Sequence, residues 1–362
     1  MKRNLVTVST ATKHIDQSEN KPHTRVQLGR SGIEVSPVGV GTWQWGGRFY
    51  WGYGRAYNDD DLAAAFAACI ESGINWFDTA ELYGCGRSEE LLVRSVNGAE
   101  VGAEVGAKVG AKVDAKMDAK MDAKMDDGSQ SPKPLIATKF FPYPWRVHRS
   151  SFRRALKANL RRLNTDSIDL YQTHFPYRPR SFKYWVDALA DAAQDGLIKA
   201  VGVSNYSGEQ TKRAHEILDR RGLVLAWNQI GYSLLNRRPE SSGVLAACRE
   251  LGVSVISFGP LFEGLLTGKY GPGSPPMLLR RVRWASKRVG PIAPLLSLMG
   301  DIAGGHDASH SQVTLRWLVQ KGTLPIPGVK SAVQAIDNAS AMKWELNNDE
   351  VAALDEMTVR YV

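Results

Sequence analysis

Eight short, nearly continuous apolar runs recur along the chain, each followed by a stretch whose apolar residues return every three or four positions. The runs are PVGVGT (37–42), INWFDTA (74–80), LIATKF (135–140), DLYQTHF (169–175), IKAVGVSN (198–205), LAWNQIGYS (225–233), VSVISFGPL (253–261) and LPIPGV (324–329). Apolar runs without alternation read as strands buried on both faces, the habit of a parallel sheet. The intervening stretches read as amphipathic helices. One covers 60–73, with acidic residues suited to a helix N-terminus and Gly73 as a C-terminal stop. Another, 150–163, sets Phe152, Leu156, Leu160 and Leu163 on one face with arginines opposite. Further helices are expected at 181–195, 207–220, 242–251, 309–321 and 331–342, and a last one near 348–358. Ahead of them, VQLGRSGIEVSP (26–37) reads as a β-hairpin around a Gly-Arg-Ser-Gly turn. The alternation predicts an α/β chain with a single (β/α)8 TIM barrel domain over 26–362. A doubly wound sheet is the alternative, but no nucleotide-fingerprint loop follows the first strand.

One segment breaks the rhythm. Residues 98–127 are a degenerate tetrapeptide repeat, GAEV passing through GAKV to DAKM. A period of four drifts by about 40° per repeat against the helical period, so its Val and Met residues form no lasting stripe. Its lysines at 108, 112, 116, 120 and 124 stand four apart, where like charges repel on a helix. The segment reads as a low-complexity insertion, disordered or frayed, on the N-terminal side of the barrel. Residues 1–25 are polar, rich in Ser and Thr, with no apolar core of a secretory signal. Composition leaves a disordered tail and a partial targeting segment both open.

Bulk composition narrows the classes. No apolar run approaches the roughly 18 residues of a membrane span, so a soluble chain with no integral span is expected. The formal charge of +9 is spread along the 362 residues with no nucleic-acid motif, so no nucleic-acid partner is expected. The basic stretch 278–290 reads as a solvated loop-helix or a region steering anionic ligands. The three cysteines, Cys69, Cys85 and Cys248, have neither zinc nor CxxC spacing, so no metal is expected.

The candidate chemistry lies where the strands end. Asp78, Tyr83, Lys139 and His174 follow or close three successive apolar runs, and the C-terminal strand ends of a parallel barrel are where active sites form. A free tyrosine, with a pKa of about 10, is a poor proton donor at neutral pH. An ammonium beside it favours the phenolate, and a buried ammonium needs the counter-charge that Asp78 can supply. A neutral imidazole can donate a hydrogen bond to a substrate oxygen. The set suits a carbonyl that receives a hydride.

With these residues in place, GINWFDTAELYG, IATKF, DLYQTHFP, VGVSNYS, NQIGYSLL, FGPLFEGLLTGKY and LPIPGVKSAVQAIDNASA resemble the successive signatures of the aldo-keto reductase superfamily. The likeness runs over roughly 25–358, interrupted by the repeat. The opening LGRSGIEVSPVGVGTWQWG and YWGYGRAYNDDDL are most similar to its plant and cyanobacterial plastid-type branch. The resemblance implies a nicotinamide cofactor, NADP with NAD as the other option, and reduction of an aldehyde or ketone. It implies Tyr83 as general acid, Lys139 and Asp78 as its tuning pair and His174 as the orienting group. Ser204, Asn205 and Gln229 would hold the carboxamide, Tyr232 would stack on the nicotinamide, and Thr42 and Asp78 would meet its ribose. Pro260, Leu261, Gly264, Leu266 and Lys269 match the pyrophosphate strap. Gly328, Lys330, Gln334, Asp337 and Asn338 match the adenosine-phosphate end, where Gln334 replaces a common Arg and Asp337 a common Glu. Trp43, Trp51, Phe140 and Phe175 are the expected substrate wall. The branch implies a chloroplast location, with the cytoplasm as the alternative, and a monomer is expected. A nicotinamide-binding, redox-sensing regulatory subunit is the competing reading.

Overall fold

The computed structural model describes residues 25–98, 133–177, 180–270 and 292–362. The 1–25 tail (apart from Arg25), nearly all of the tetrapeptide repeat and the basic stretch 278–290 lie outside the described residues.

All eight predicted strands form, and they lie side by side in one parallel sheet. After the hairpin strands β1 (Val26–Gln27) and β2 (Glu34–Val35) come β3 (Val40–Gly41), β4 (Trp76–Asp78), β5 (Leu135–Phe140) and β6 (Ile168–Thr173). The sheet continues with β7 (Ile198–Ser204), β8 (Leu225–Gly231), β9 (Ser254–Phe258) and β10 (Leu324–Ile326). Each strand from β3 to β10 pairs in parallel with the next. A parallel bridge between Gly41 and Gly328 and the bond from the Gly39 amide to the Pro325 carbonyl bring β3 beside β10, which closes the barrel.

The helices start where their caps dictate. Asn58 and Asp61 form a reciprocal capping box ahead of Asp59–Glu71, and Ser207 with Gln210 does the same ahead of Gly208–Asp219. Each box satisfies two amide donors that the first turn leaves orphaned. Gly73, at φ +86°, provides the stop read from sequence. The helices over Arg149–Arg162, Phe182–Gln194, Val244–Leu251, His310–Gln320, Ala332–Ser340 and Asn348–Met357 match expectation within a few residues. Among the described residues four α-helical segments lie outside the expected set: Arg48–Trp51, residues 87–98, Arg238–Ser241 and Ala293–Gly305.

Strand alternation sorts the core into two shells. On β5, Ala137 faces a barrel interior filled by Leu170, Trp76, Trp227 and Ile256, with Leu28 and Val35 of the hairpin joining it. The hairpin docks on the N-terminal end of the barrel, its Gly29 amide donating to Ser254 Oγ at 2.7 Å. Ile136 and Phe140 face outward to the helices. The interior is filled by large rings over residues without side chains. A Cβ on Gly202 would come within 2.0 Å of the Trp227 indole, and one on Gly39 within 2.3 Å of Trp76.

Candidate active site

At the opposite, C-terminal end of the strands a cavity of about 560 Å³ opens, walled by residues from β3, β4 and β7–β10, the loops after them and the loop after β6. Asp78 closes β4, Lys139 is the penultimate residue of β5, and His174 follows β6 directly. Tyr83 opens a tight turn, Tyr83–Gly86. There Gly84, Cys85 and Gly86 all take positive φ, and a Cβ on Gly86 would lie 2.8 Å from Arg162.

The four residues meet as the sequence predicts. The Lys139 ammonium, fully buried, pairs with Asp78 Oδ2 and donates to the Thr79 carbonyl at 2.8 Å. It sits 4.9 Å from the centroid of the Tyr83 ring. Tyr83 meets His174 edge-on, with ring centroids 5.8 Å apart. Asp78 Oδ1 accepts from Gln229 Nε2 at 2.9 Å and Gln172 Nε2 at 3.2 Å. Among the described residues each hydrogen-bond neighbour of this carboxylate side chain is a donor, which matches the acceptor-only ionised form.

Burial governs the protonation of the set. It raises the Asp78 carboxyl, against the pull of Lys139 and the two glutamine amides. It works to lower the Lys139 ammonium, but Asp78 and Tyr83 together outweigh it and hold that group above its ordinary value. His174 is held well below the ordinary imidazole value by burial and then by Lys139, so it is neutral at physiological pH. Its Nδ1 is buried with no hydrogen-bond partner among the described residues. A proton there would be an orphan donor, rarer than an unsatisfied acceptor, which favours the proton on Nε2. Tyr83 departs from expectation. The ammonium does pull its phenol down, but burial outweighs that and holds the phenol above its ordinary value. The group is therefore stored as the protonated acid.

The remaining predicted residues divide. Ser204, Asn205, Gln229 and Tyr232 line the cavity. Asn205, at φ +63°, donates to the His174 carbonyl and to Ser204 Oγ, both at 3.0 Å. The Tyr232 hydroxyl donates to Glu240 at 2.6 Å, which anchors the ring. Pro260, Leu261, Gly264 and Lys269 line the cavity along the turn after β9. Gly328, Lys330, Gln334, Asp337 and Asn338 line it at the mouth of the helix Ala332–Ser340. Lys330 Nζ donates to the Trp51 carbonyl at 3.0 Å, and Gln334 accepts from the Lys330 amide at 2.9 Å. Trp43, Trp51 and Phe175 form the aromatic wall.

Three predicted residues lie elsewhere. Phe140 is fully buried between barrel and helices against Phe152 and Trp185, because Lys139 points inward and its neighbour must point out. Leu266 packs in the cluster around the C-terminal helices. The Thr42 side chain is spent on Ser88 Oγ at 2.8 Å and the Asp78 carbonyl at 3.1 Å, off the cavity wall. Conversely, Gln44 and Glu263 line the cavity and Gln172 supports its floor, none of them singled out from sequence. Gln172 lies on β6 two residues before His174, which follows that strand directly, and this spacing turns both side chains toward the interior and offers the clue.

A (β/α)8 barrel with this donor set at its C-terminal rim has the parts to deliver a proton to a carbonyl oxygen in a buried site. The aldo/keto reductase family model matches residues 37–358, and the chain belongs to that family. It is 36% identical over 341 residues to a chloroplastic pyridoxal reductase of Arabidopsis thaliana, covering 92% of this chain and 86% of that one. It is 31% identical over 330 residues to an uncharacterized oxidoreductase of Mycobacterium bovis, covering 89% of each. A thermostable aldo-keto reductase solved with the inhibitor epalrestat superposes with a TM-score of 0.68 at 25% identity, covering 92% of this chain and 99% of that one. The protein is an NAD(P)H-dependent oxidoreductase whose general reaction is carbonyl reduction.

Proposed function

We propose that this protein reduces an aldehyde on a flat ring to the alcohol with NADPH, and that Tyr83 is the proton donor. The observation that carries this is the meeting of Asp78, Lys139, Tyr83 and His174 at one cavity whose far end presents Lys330 and the start of a helix. The donor set suits an extended dinucleotide: Ser204 and Asn205 beside the chemistry, then Lys269, then Lys330 by the helix at Ala332. A helix N-terminus and a nearby lysine both favour phosphate charge. The cofactor, when bound, supplies the hydride.

The chain's own residues do the rest. His174 donates from Nε2 to the carbonyl oxygen and fixes its direction. Tyr83 delivers its proton to that oxygen as negative charge develops. Lys139, held charged by Asp78, stabilises the phenolate left behind. Trp43, Trp51 and Phe175 stack on the ring of the substrate and exclude water. The chloroplastic pyridoxal reductase among the relatives supports a pyridoxal-like aldehyde and a plastid location.

The test is NADPH and NADH titration, followed by turnover of pyridoxal and 4-nitrobenzaldehyde, in wild type and Tyr83→Phe. Tighter NADPH binding, with turnover lost and binding kept in the variant, is expected. Full turnover by Tyr83→Phe removes the acid assignment. NADPH binding without turnover on either aldehyde favours a regulatory subunit instead.

A further inference from the structure

Resting on that reading of Asp78, Lys139 and Tyr83, we infer that Gln172 is a positioning residue for the reaction, held in its working orientation by Trp227. Lys139, Gln172, Gly202 and Trp227 are register partners across four consecutive strands, so they form one layer of the barrel. Gly202 contributes no side chain to this layer, and the Trp227 indole fills the space. Its Nε1 thereby reaches past Gly202 and donates to Gln172 Oε1 at 2.9 Å.

That contact removes an ambiguity. An amide can present either its oxygen or its nitrogen, but an indole N–H is donor only. The Gln172 atom facing Trp227 must therefore be the oxygen, and the NH2 must face Asp78 Oδ1. Gln229, the other amide donor to Oδ1, stands on the cavity wall, where a ligand can compete for it. Gln172 is fully buried and off that wall. Of the two amide donors to Asp78, it is the one that a ligand in the cavity does not meet.

The consequence travels along the layer. A carboxylate that loses a hydrogen-bond donor in a buried site favours its charged form less. Lys139 keeps its counter-charge, but the amide dipole that offset the Asp78 charge is gone, so the potential at Tyr83 becomes more negative and its phenolate less stable. The titratable groups facing the Asp78–Lys139 pair are Tyr83 from the loop after β4 and His174 after β6. The side chains that β7 and β8 turn toward it, Ser204, Gln229 and Trp227, are neutral.

The experiment measures kcat and KM for 4-nitrobenzaldehyde reduction against pH, with NADPH affinity, for wild type, Gln172→Leu, Trp227→Phe and Tyr83→Phe. For Gln172→Leu, kcat at neutral pH is expected to fall by about 10- to 100-fold, and its alkaline limb to rise by about one pH unit. KM and NADPH affinity should hold within about twofold, a split that general loss of structure would not give. Trp227→Phe should move the limb the same way by less. A folded, NADPH-binding Gln172→Leu with the wild-type limb and kcat overturns the inference. Where Gln172→Leu does not fold, Trp227→Phe decides alone: a shifted limb supports the inference and an unshifted one overturns it. Tyr83→Phe separates the two levels. If it is inactive while the Gln172 and Trp227 profiles stay put, only the positioning role fails; if it is fully active, the acid assignment beneath it fails.

Discussion

His174 shows how one side chain can be kept out of the pH range that usually defines it. Burial and the neighbouring Lys139 both disfavour the imidazolium, so the ring stays neutral well below its ordinary value. Reduction should therefore show no inflection near pH 6.5, and the profile should be flat from about pH 6 to 8 before an alkaline limb set by Tyr83. An inflection near 6.5 that disappears in His174→Gln would contradict this. Lys139 and Asp78 make the complementary case, a buried charge pair in which neither member tolerates losing the other. Lys139→Met should lower stability by about 3–5 kcal/mol, because it leaves a buried carboxylate without its cation. Adding Asp78→Asn should recover much of that loss and none of the turnover. Denaturant unfolding of the single and double variants, beside their kcat, checks both halves.

Between residue and molecule stands the turn that carries Tyr83, and its geometry is held from outside the barrel. Glu89, fully buried, accepts from Thr138 at 2.7 Å and Asn159 at 2.6 Å and pairs with Arg162. Thr138 is the chain neighbour of Lys139, so this network ties the Tyr83 turn to the strand that bears its partner. Gly86→Ala meets two penalties there, a positive φ and the Arg162 side chain. It should cost about 1–3 kcal/mol and lower kcat more than NADPH affinity. Thermal unfolding and steady-state kinetics of the variant read both. This turn also marks where sequence reading stops. The eight strands were legible because continuous apolar runs between amphipathic stretches have few other solutions. The four candidate residues were legible because each lies at or just beyond the end of such a run. Helix 87–98 was missed because its start is set by contacts of Ser88 and Glu89 with distant strands. Phe140 was assigned to the cavity because it ends its run, although the alternation with Lys139 already turned it outward. Gln172 carries no reactive group, and its role emerges only when Gly202 and Trp227 are seen in one layer.

At the scale of the whole molecule, the barrel separates its two ends, and the described chain breaks off at the start of the tetrapeptide repeat and resumes after it at the end without chemistry. The described chain leaves at residue 98 and returns at 133, two residues before β5 begins at Leu135. Leu135 starts the strand whose other end carries Lys139. Four residues of strand rise put about 13 Å between those two positions along the barrel wall. The hairpin covers the same N-terminal end, through Leu28 and the bond from Gly29 to Ser254. An insertion anchored at that end starts and finishes away from Asp78, Tyr83 and His174, and extra loop length costs little, about 0.6 kcal/mol for each doubling. Replacing residues 100–127 with a short Gly/Ser linker should therefore leave kcat and NADPH affinity within about twofold of wild type, at equal or slightly higher stability. Kinetics and calorimetry on the shortened chain test this. A drop in kcat with normal folding would mean that the repeat acts on the catalytic rim and that the two ends are coupled through the barrel.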